Sequence, residues 1–297
     1  MRPGFSSYVF LQQRLRPALL NAMHRSGATA IEVFAARHHF DYADRTSIRE
    51  LATWFRDTDV RPSLHQPLYP DAQWSRHVGP TLDLLDPDKS HRIAAMDEIK
   101  RVLETAEQIP FRSITLHLGM KGDAWSPRAL ENSLTAIEHL KAFAGPLGVQ
   151  LLLETLQNEV TAPERLLEIL CVGHFDTVGI TLDVGHAHLT DYSNPGAGID
   201  AAFELLRPRI AELHLHDNNG ARDEHLWPGS PSTGIDWSNV QRHIAALPAE
   251  VFGILEIAHE LGETAESVTK QGATFFDRLR REEEQTADRQ SGENRQR

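Results

Sequence analysis

Short apolar runs recur along the chain, and between them apolar positions return every three or four residues. The runs are SSYVF (6–10), AIEVFA (30–35), RPSLH (61–65), SITLHLG (113–119), QLLLE (150–154), VGITLD (178–183), IAELHLH (210–216) and FGILEI (252–257). Their length and composition predict eight strands. Helical spacing is clearest in 89–106, where Ile93, Met96, Ile99, Leu103 and Ala106 form one stripe behind Asp88, an N-cap residue. Strands alternating with helices imply parallel strands joined by helical crossovers. Eight such units fit a closed barrel, which takes about 250 residues. The chain has no GxGxxG to argue for an open dinucleotide-binding sheet. The expected fold is therefore α/β, a single (β/α)8 TIM barrel over residues 1–280. A charged segment, 281–297 (REEEQTADRQSGENRQR), is expected to fray into a disordered tail.

In a barrel the catalytic groups sit where the strands end, so the strand ends can be read directly. From strand three to strand eight they offer His65, His117, Glu154, Asp183, His214 and Glu256. A lone strand-end histidine is more often a hydrogen-bonded rim residue, but six successive metal-capable ends are a pattern. LDVGHAHL adds His186 three residues after Asp183, and DEH adds Asp223 and His225 beyond strand seven. In HLHD, His214 and His216 share a face, with His214 expected as the deeper, direct ligand and His216 as a substrate or supporting contact. Mixed carboxylate and imidazole donors suit Mn2+, Co2+, Zn2+ or Fe2+. Glu32 points inward in AIEVF, where it either assists substrate binding or pairs with an arginine. Trp125 and Trp227 follow strands four and seven, where an indole can stack on a ligand ring.

Composition narrows the partners. The net charge of −12 disfavours a broad phosphate-neutralising face, so a nucleic-acid partner is not expected. No run approaches the roughly 18 apolar residues of a membrane span, and the start MRPGFSSYVF lacks the form of a secretory leader. The single cysteine, Cys171, cannot form an internal disulfide and is expected to pack among its apolar neighbours in EILCVG. A cytoplasmic protein is the expectation.

Over about residues 5–275 the chain resembles the xylose isomerase-like TIM-barrel superfamily, which includes sugar-phosphate isomerases and epimerases, inosose dehydratase, ketose 3-epimerases and endonuclease IV. The resemblance is carried by LHQPLY, LHLG, LLLET, LDVGHAH, LHLHDNNGARDEHLWPG and ILEI. In the isomerase and epimerase branch, the positions matching Glu154, Asp183, His214 and Glu256 hold one divalent metal, and the two glutamates move protons. In the endonuclease branch, the positions matching His65, His117, His186, Asp223 and His225 join them to hold three zinc ions. All nine are present here. Two departures stand out: Thr155 follows Glu154 where many relatives have asparagine, and the stretch 226–237 replaces the usual HxPxGxG.

The resemblance implies an isomerase or epimerase of a small sugar, polyol or sugar-derived acid, with one divalent ion (Mn2+, Co2+, Mg2+ or Zn2+). Glu154 and Glu256 would be catalytic, and His186, His216, Glu32 and Trp227 would contact substrate. The alternatives are an inosose-type dehydratase with the same first step and a phosphodiesterase with up to three Zn2+ acting at abasic sites. Barrels of this kind often dimerise, so a homo-oligomer is expected by resemblance alone.

Overall fold

The computed structural model describes residues 1–70, 79–190, 197–231, 233–258 and 264–294, without the side chains of Thr190, Ala197 and 282–294. Eight strands, β1 (Arg2–Ser6), β2 (Ala30–Phe34), β3 (Arg61–His65), β4 (Ser113–Leu116), β5 (Gln150–Glu154), β6 (Gly179–Asp183), β7 (Ile210–Leu215) and β8 (Phe252–Leu255), close into a barrel in sequence order. All pairs are parallel, and β1 completes the ring against β8. Around it lie α1 (Pro17–Arg25), α2 (Arg45–Arg56), α3 (Lys89–Leu103), α4 (Pro127–Ala144), α5 (Pro163–Val172), α6 (Val184–Thr190), α7 (Ala197–Leu206), α8 (Trp237–Ala245) and α9 (Ala265–Asn294). The expected single (β/α)8 barrel is the fold observed. Helix α9 runs on into the charged segment beyond residue 280.

Side chains capture the free N–H groups at the starts of several helices. Asp44 accepts from Thr46 and Ser47, Asp88 from Ser90, Ser126 from Ala129, and Asp236 from Ser238 and Asn239. Asp88 is thus the cap its position suggested.

Three local expectations are corrected. The first strand lies at 2–6, not 6–10; residues 7–10 form a 3-10 turn. Ser6 Oγ accepts the Tyr8 N–H at 3.3 Å, and Ser7 Oγ accepts the Phe34 N–H at 2.9 Å. These serines offer the backbone an alternative to the ladder that the apolar run cannot override. Helix α3 turns a different face inward: Ala95, Glu98, Ile99, Val102 and Leu103 are buried, while Ile93 is 43% exposed. Buried Glu98 accepts a hydrogen bond from the Tyr42 hydroxyl and pairs with Arg101, so a carboxylate takes a place the apolar count gave to Ile93. Cys171 is exposed, because α5 buries Leu166, Ile169 and Leu170 instead.

The helices pack on the outer faces of the strands through a continuous apolar layer that includes Phe5, Ile31, Leu64, Leu153, Leu182 and Leu213. Inside the barrel the floor is apolar, with Ala30, Phe252 and Ile254 in contact. Above it the lining turns polar: Thr115 and Thr181 share a hydrogen bond at 2.8 Å, and Glu32, Ser63 and Glu212 are fully buried. TIM-barrel interiors are ordinarily filled by branched apolar residues. A polar middle layer here supports the groups standing on it. Trp54, on α2, is buried and donates its Nε1–H to Asn21.

Candidate metal-binding active site

Alternation along parallel strands brings the strand-end donors to one mouth of the barrel. His65, Glu154 and Asp183 are the last residues of β3, β5 and β6; His117 and Glu256 follow β4 and β8; His214 lies in β7. Their ligand atoms fall into three adjoining groups at the mouth, above a fourth made of Glu32, Glu212 and His214. Glu154, Asp183, His214 and Glu256 form the first, with the four ligand atoms within 4.8 Å of one another. His214 Nδ1 lies 3.3 Å from Glu154 Oε1, 3.2 Å from Glu256 Oε2 and 3.7 Å from Asp183 Oδ2. The second group is His65, His117 and Glu154; the third is His186, His216, Asp223 and His225. All nine residues singled out for metal binding are brought together, and His216 joins the third group.

Hydrogen bonds fix which ring nitrogen faces inward. His65, His186 and His225 each place Nδ1 against a backbone carbonyl, of Gln66 at 2.8 Å, Thr155 at 2.9 Å and Glu256 at 2.9 Å. A carbonyl only accepts, so Nδ1 carries the proton and Nε2 offers its lone pair to the cluster. The Nε2 atoms of His65 and His117 stand 3.1 Å apart, and Glu154 Oε2 is 2.8 Å from that of His117. Glu154 Oε2 is nonetheless buried without a hydrogen-bond partner. Nitrogen and oxygen donor atoms that converge this closely fit a shared cation. The N and O donor set, with no thiolate, suits Mn2+, Co2+ or Zn2+.

The electrostatics agree. Burial favours neutral carboxyls, yet His117 and His214 hold Glu154 well below the ordinary range, and His214 and His225 bring Glu256 down to about 2. In return, burial disfavours charged imidazoles, but Glu256, Glu32 and Glu154 hold His214 well above its ordinary value. Asp223 and Glu256 raise His225 to about 9 against the same penalty. Protons on the imidazoles thus balance the buried carboxylates when no cation does.

Local devices hold the third group in place. Asp183 Oδ1 accepts the His186 N–H at 2.7 Å, which starts α6 directly after this candidate ligand. Thr155, the departure after β5, accepts the Asp183 N–H at 2.9 Å and ties β5 to β6. Asp217 and Leu226 exchange two backbone hydrogen bonds of 2.8 Å, while Asp217 Oδ2 accepts from Trp237 Nε1 at 2.6 Å and Gly229 N at 3.0 Å. This folds the loop after β7 so that Asp223 and His225 lie over the strand ends. His225 takes a positive φ of 48° to do so, a strained backbone for a non-glycine residue.

A cavity of about 620 Å³ opens above the groups, walled on one side by Tyr8, Phe34 and Tyr69 and reached by Lys121. Four side chains expected beside substrate do not line this cavity. Trp227 packs edge-on to Phe5 at 5.9 Å beside α9, outside the cavity. His216 is fully buried, stacked on His225 at 3.9 Å, with Nε2 3.0 Å from both Asp183 oxygens. Glu32 also lies beneath the cavity, bonded to His214 at 3.1 Å and, among the described residues, not to an arginine. Trp125 stays outside as well, under the Arg165 guanidinium at 4.7 Å. His186 does line the cavity. Sequence reasoning missed Glu212, although it shares the face of His214 and His216 by strict alternation. It also missed Tyr8, hidden in a run read as strand, and Lys121, which no motif marks.

A barrel whose strand ends carry this donor set defines a class. The xylose isomerase-like TIM-barrel family matches residues 20–279, and the chain belongs to it. An uncharacterized protein of Methanocaldococcus jannaschii is 27% identical over 237 residues, 76% of this chain and 74% of that protein. A probable endonuclease 4 of Natronomonas pharaonis is 25% identical over 200 residues, 62% of this chain and 68% of that protein. Among solved structures, a D-tagatose 3-epimerase-like protein superposes with a TM-score of 0.74 at 22% identity, covering 96% of this chain and 100% of that one. No helix among the described residues is long and apolar enough to cross a membrane.

Proposed function

We propose that the protein is a divalent-metal-dependent isomerase or epimerase of a small sugar, polyol or sugar-derived acid. The observation that carries this reading is the pair Glu154 and Glu256, which arrive from β5 and β8 within 3.3 Å and 3.2 Å of one His214 nitrogen, at the floor of a cavity sized for a small molecule. An ion held by Glu154, Asp183, His214 and Glu256 would polarise a carbonyl and stabilise negative charge on its oxygen. Both glutamates are ionised at neutral pH and start as bases. One takes the proton from the carbon beside the carbonyl, and the electron pair of the broken C–H bond moves on to the carbonyl oxygen to give an enediolate. In an isomerisation the same carboxyl returns that proton to the neighbouring carbon while the hydroxyl proton shifts to the former carbonyl oxygen; in an epimerisation the other glutamate takes up a proton from solvent and delivers it to the opposite face, and the first releases its proton to solvent. Tyr8 and Phe34 offer aromatic faces to the C–H face of a sugar. Loss of a hydroxide from the same intermediate would make the reaction an inosose-type dehydration. Solvent exchange of substrate carbon-bound hydrogen should collapse in Glu154→Gln and Glu256→Gln proteins, and normal exchange in both would defeat the reading.

Phosphodiester hydrolysis with three ions is the second reading, favoured by the two further groups that flank the first. Against a DNA substrate, the arginines of the loop after β2 and its neighbour are already engaged: Arg14 pairs with Asp41 and Asp44, and Arg37 lies 4.0 Å from Asp41. Metal analysis after equilibration with zinc or manganese separates the two. One tightly held ion supports the isomerase; three, lost together with cleavage of an abasic duplex when His117 or His225 is changed, support the hydrolase.

A further inference from the structure

His214 is held differently from the histidines around it. The inward-facing nitrogens of His65, His186 and His225 are selected by backbone carbonyls, which no substitution removes. His214 instead turns Nδ1 toward Glu154, Asp183 and Glu256 and places Nε2 3.1 Å from Glu32 Oε2. Glu32 comes from β2, 182 residues away in sequence, and both side chains are fully buried. Nothing from solvent competes for that bond. Glu212 stands beside the Glu32 carboxyl, with one ligand atom each of Glu32, Glu212 and His214 within 4.8 Å of one another, and it accepts from Ser63 Oγ at 3.2 Å and Ser113 Oγ at 3.5 Å. Four strands, β2, β3, β4 and β7, thereby converge on one imidazole.

We propose that Glu32 is a positioning residue: by accepting the Nε2–H of His214 it fixes the ring's tautomer and rotation, keeps the Nδ1 lone pair on the metal group, and so sets the affinity of that group for its ion. A carboxylate in this place can only accept, so it admits a single tautomer. Its charge also makes Nδ1 a stronger donor, as carboxylate partners of metal-binding histidines generally do. The proposal rests on the metal-binding part of the reading above, not on the reaction or the substrate. A glutamine at position 32 has nearly the same shape but presents an amide that accepts or donates, so the tautomer is no longer imposed.

The test is Co2+ binding to the full-length protein, followed by the visible spectrum and by competition with a chelator of known affinity. Far-UV circular dichroism and a melting curve accompany each protein. Glu32→Gln should bind Co2+ about 10- to 100-fold more weakly, with altered visible bands and an unchanged fold. Ring-nitrogen NMR of the zinc-loaded wild type gives a second readout that needs no variant, and should place the His214 proton on Nε2. Equal affinity and an unchanged spectrum in the glutamine variant, or a His214 proton on Nδ1, overturns the positioning role and leaves the metal site standing. A wild-type protein that holds no ion overturns both.

Discussion

The ionic balance of the site predicts how the metal-free protein responds to alkali. His225 keeps its proton up to about 9 instead of 6.5, because Asp223 and Glu256 outweigh the burial that opposes its charge. A folded-state pKa above the unfolded value contributes stability that is complete below 6.5 and is lost as the pH rises through 9. At about 1.4 kcal/mol per pH unit the contribution of His225 is about 3 kcal/mol, of which about 2 kcal/mol disappears between pH 6.5 and 8.5. His214 and His186, also held well above their ordinary values, act in the same direction. The carboxylates do not offset this, since Glu256 at about 2 stays ionised throughout the interval. Urea unfolding followed by circular dichroism with a chelator present is the assay. With a slope of about 3 kcal/mol per molar for a chain of this size, the midpoint should fall by about 0.7 M between the two pH values. Saturating zinc displaces the imidazole protons and should remove the loss. A chelated protein whose midpoint stays level or rises over this interval would refute the account of how the cluster carries its charge.

Two substitutions probe the supports. A Cβ at Gly185 would lie 2.0 Å from His216 Cε1, and that ring is pinned between His225 and Asp183, so Gly185→Ala should cost about 1–3 kcal/mol and, by pushing His216 off Asp183, weaken the hold of the first group on its ion. Elemental analysis and melting curves would show both effects, and full metal retention would contradict the packing. On the opposite side of the structure, Tyr42→Phe leaves buried Glu98 without its phenol donor and should cost about 1–3 kcal/mol in urea unfolding, with metal content unchanged.

The sequence by itself determined the class of fold and which side chains gather at the barrel mouth. Strand-length apolar runs alternating with helical spacing have few compact solutions other than parallel strands with crossovers, and eight of them close a barrel. Because such barrels turn alternate residues inward and end every strand at the same mouth, His65, His117, Glu154, Asp183, His214 and Glu256 could be read as neighbours before any contact was known. The DxH of Asp223 and His225 was legible in the same way, as a second pair just beyond a strand end.

Only the tertiary structure decided how those donors are aimed. Which nitrogen of His186 faces inward depends on the Thr155 carbonyl, and that of His214 depends on Glu32, partners 31 and 182 residues away. Trp227 follows a strand end as plausibly as His225, yet one packs on Phe5 and the other meets Asp223, because the Asp217–Leu226 bridge sets where the loop turns. In the same way the serines after Gly4 ended β1 early, and the Tyr42–Glu98 bond turned α3 by part of a turn from its apolar stripe. The periodicity of a sequence specifies the face of a strand. The rotation of a ring and the course of a loop come from hydrogen bonds between distant segments, and those exist only once the barrel has closed.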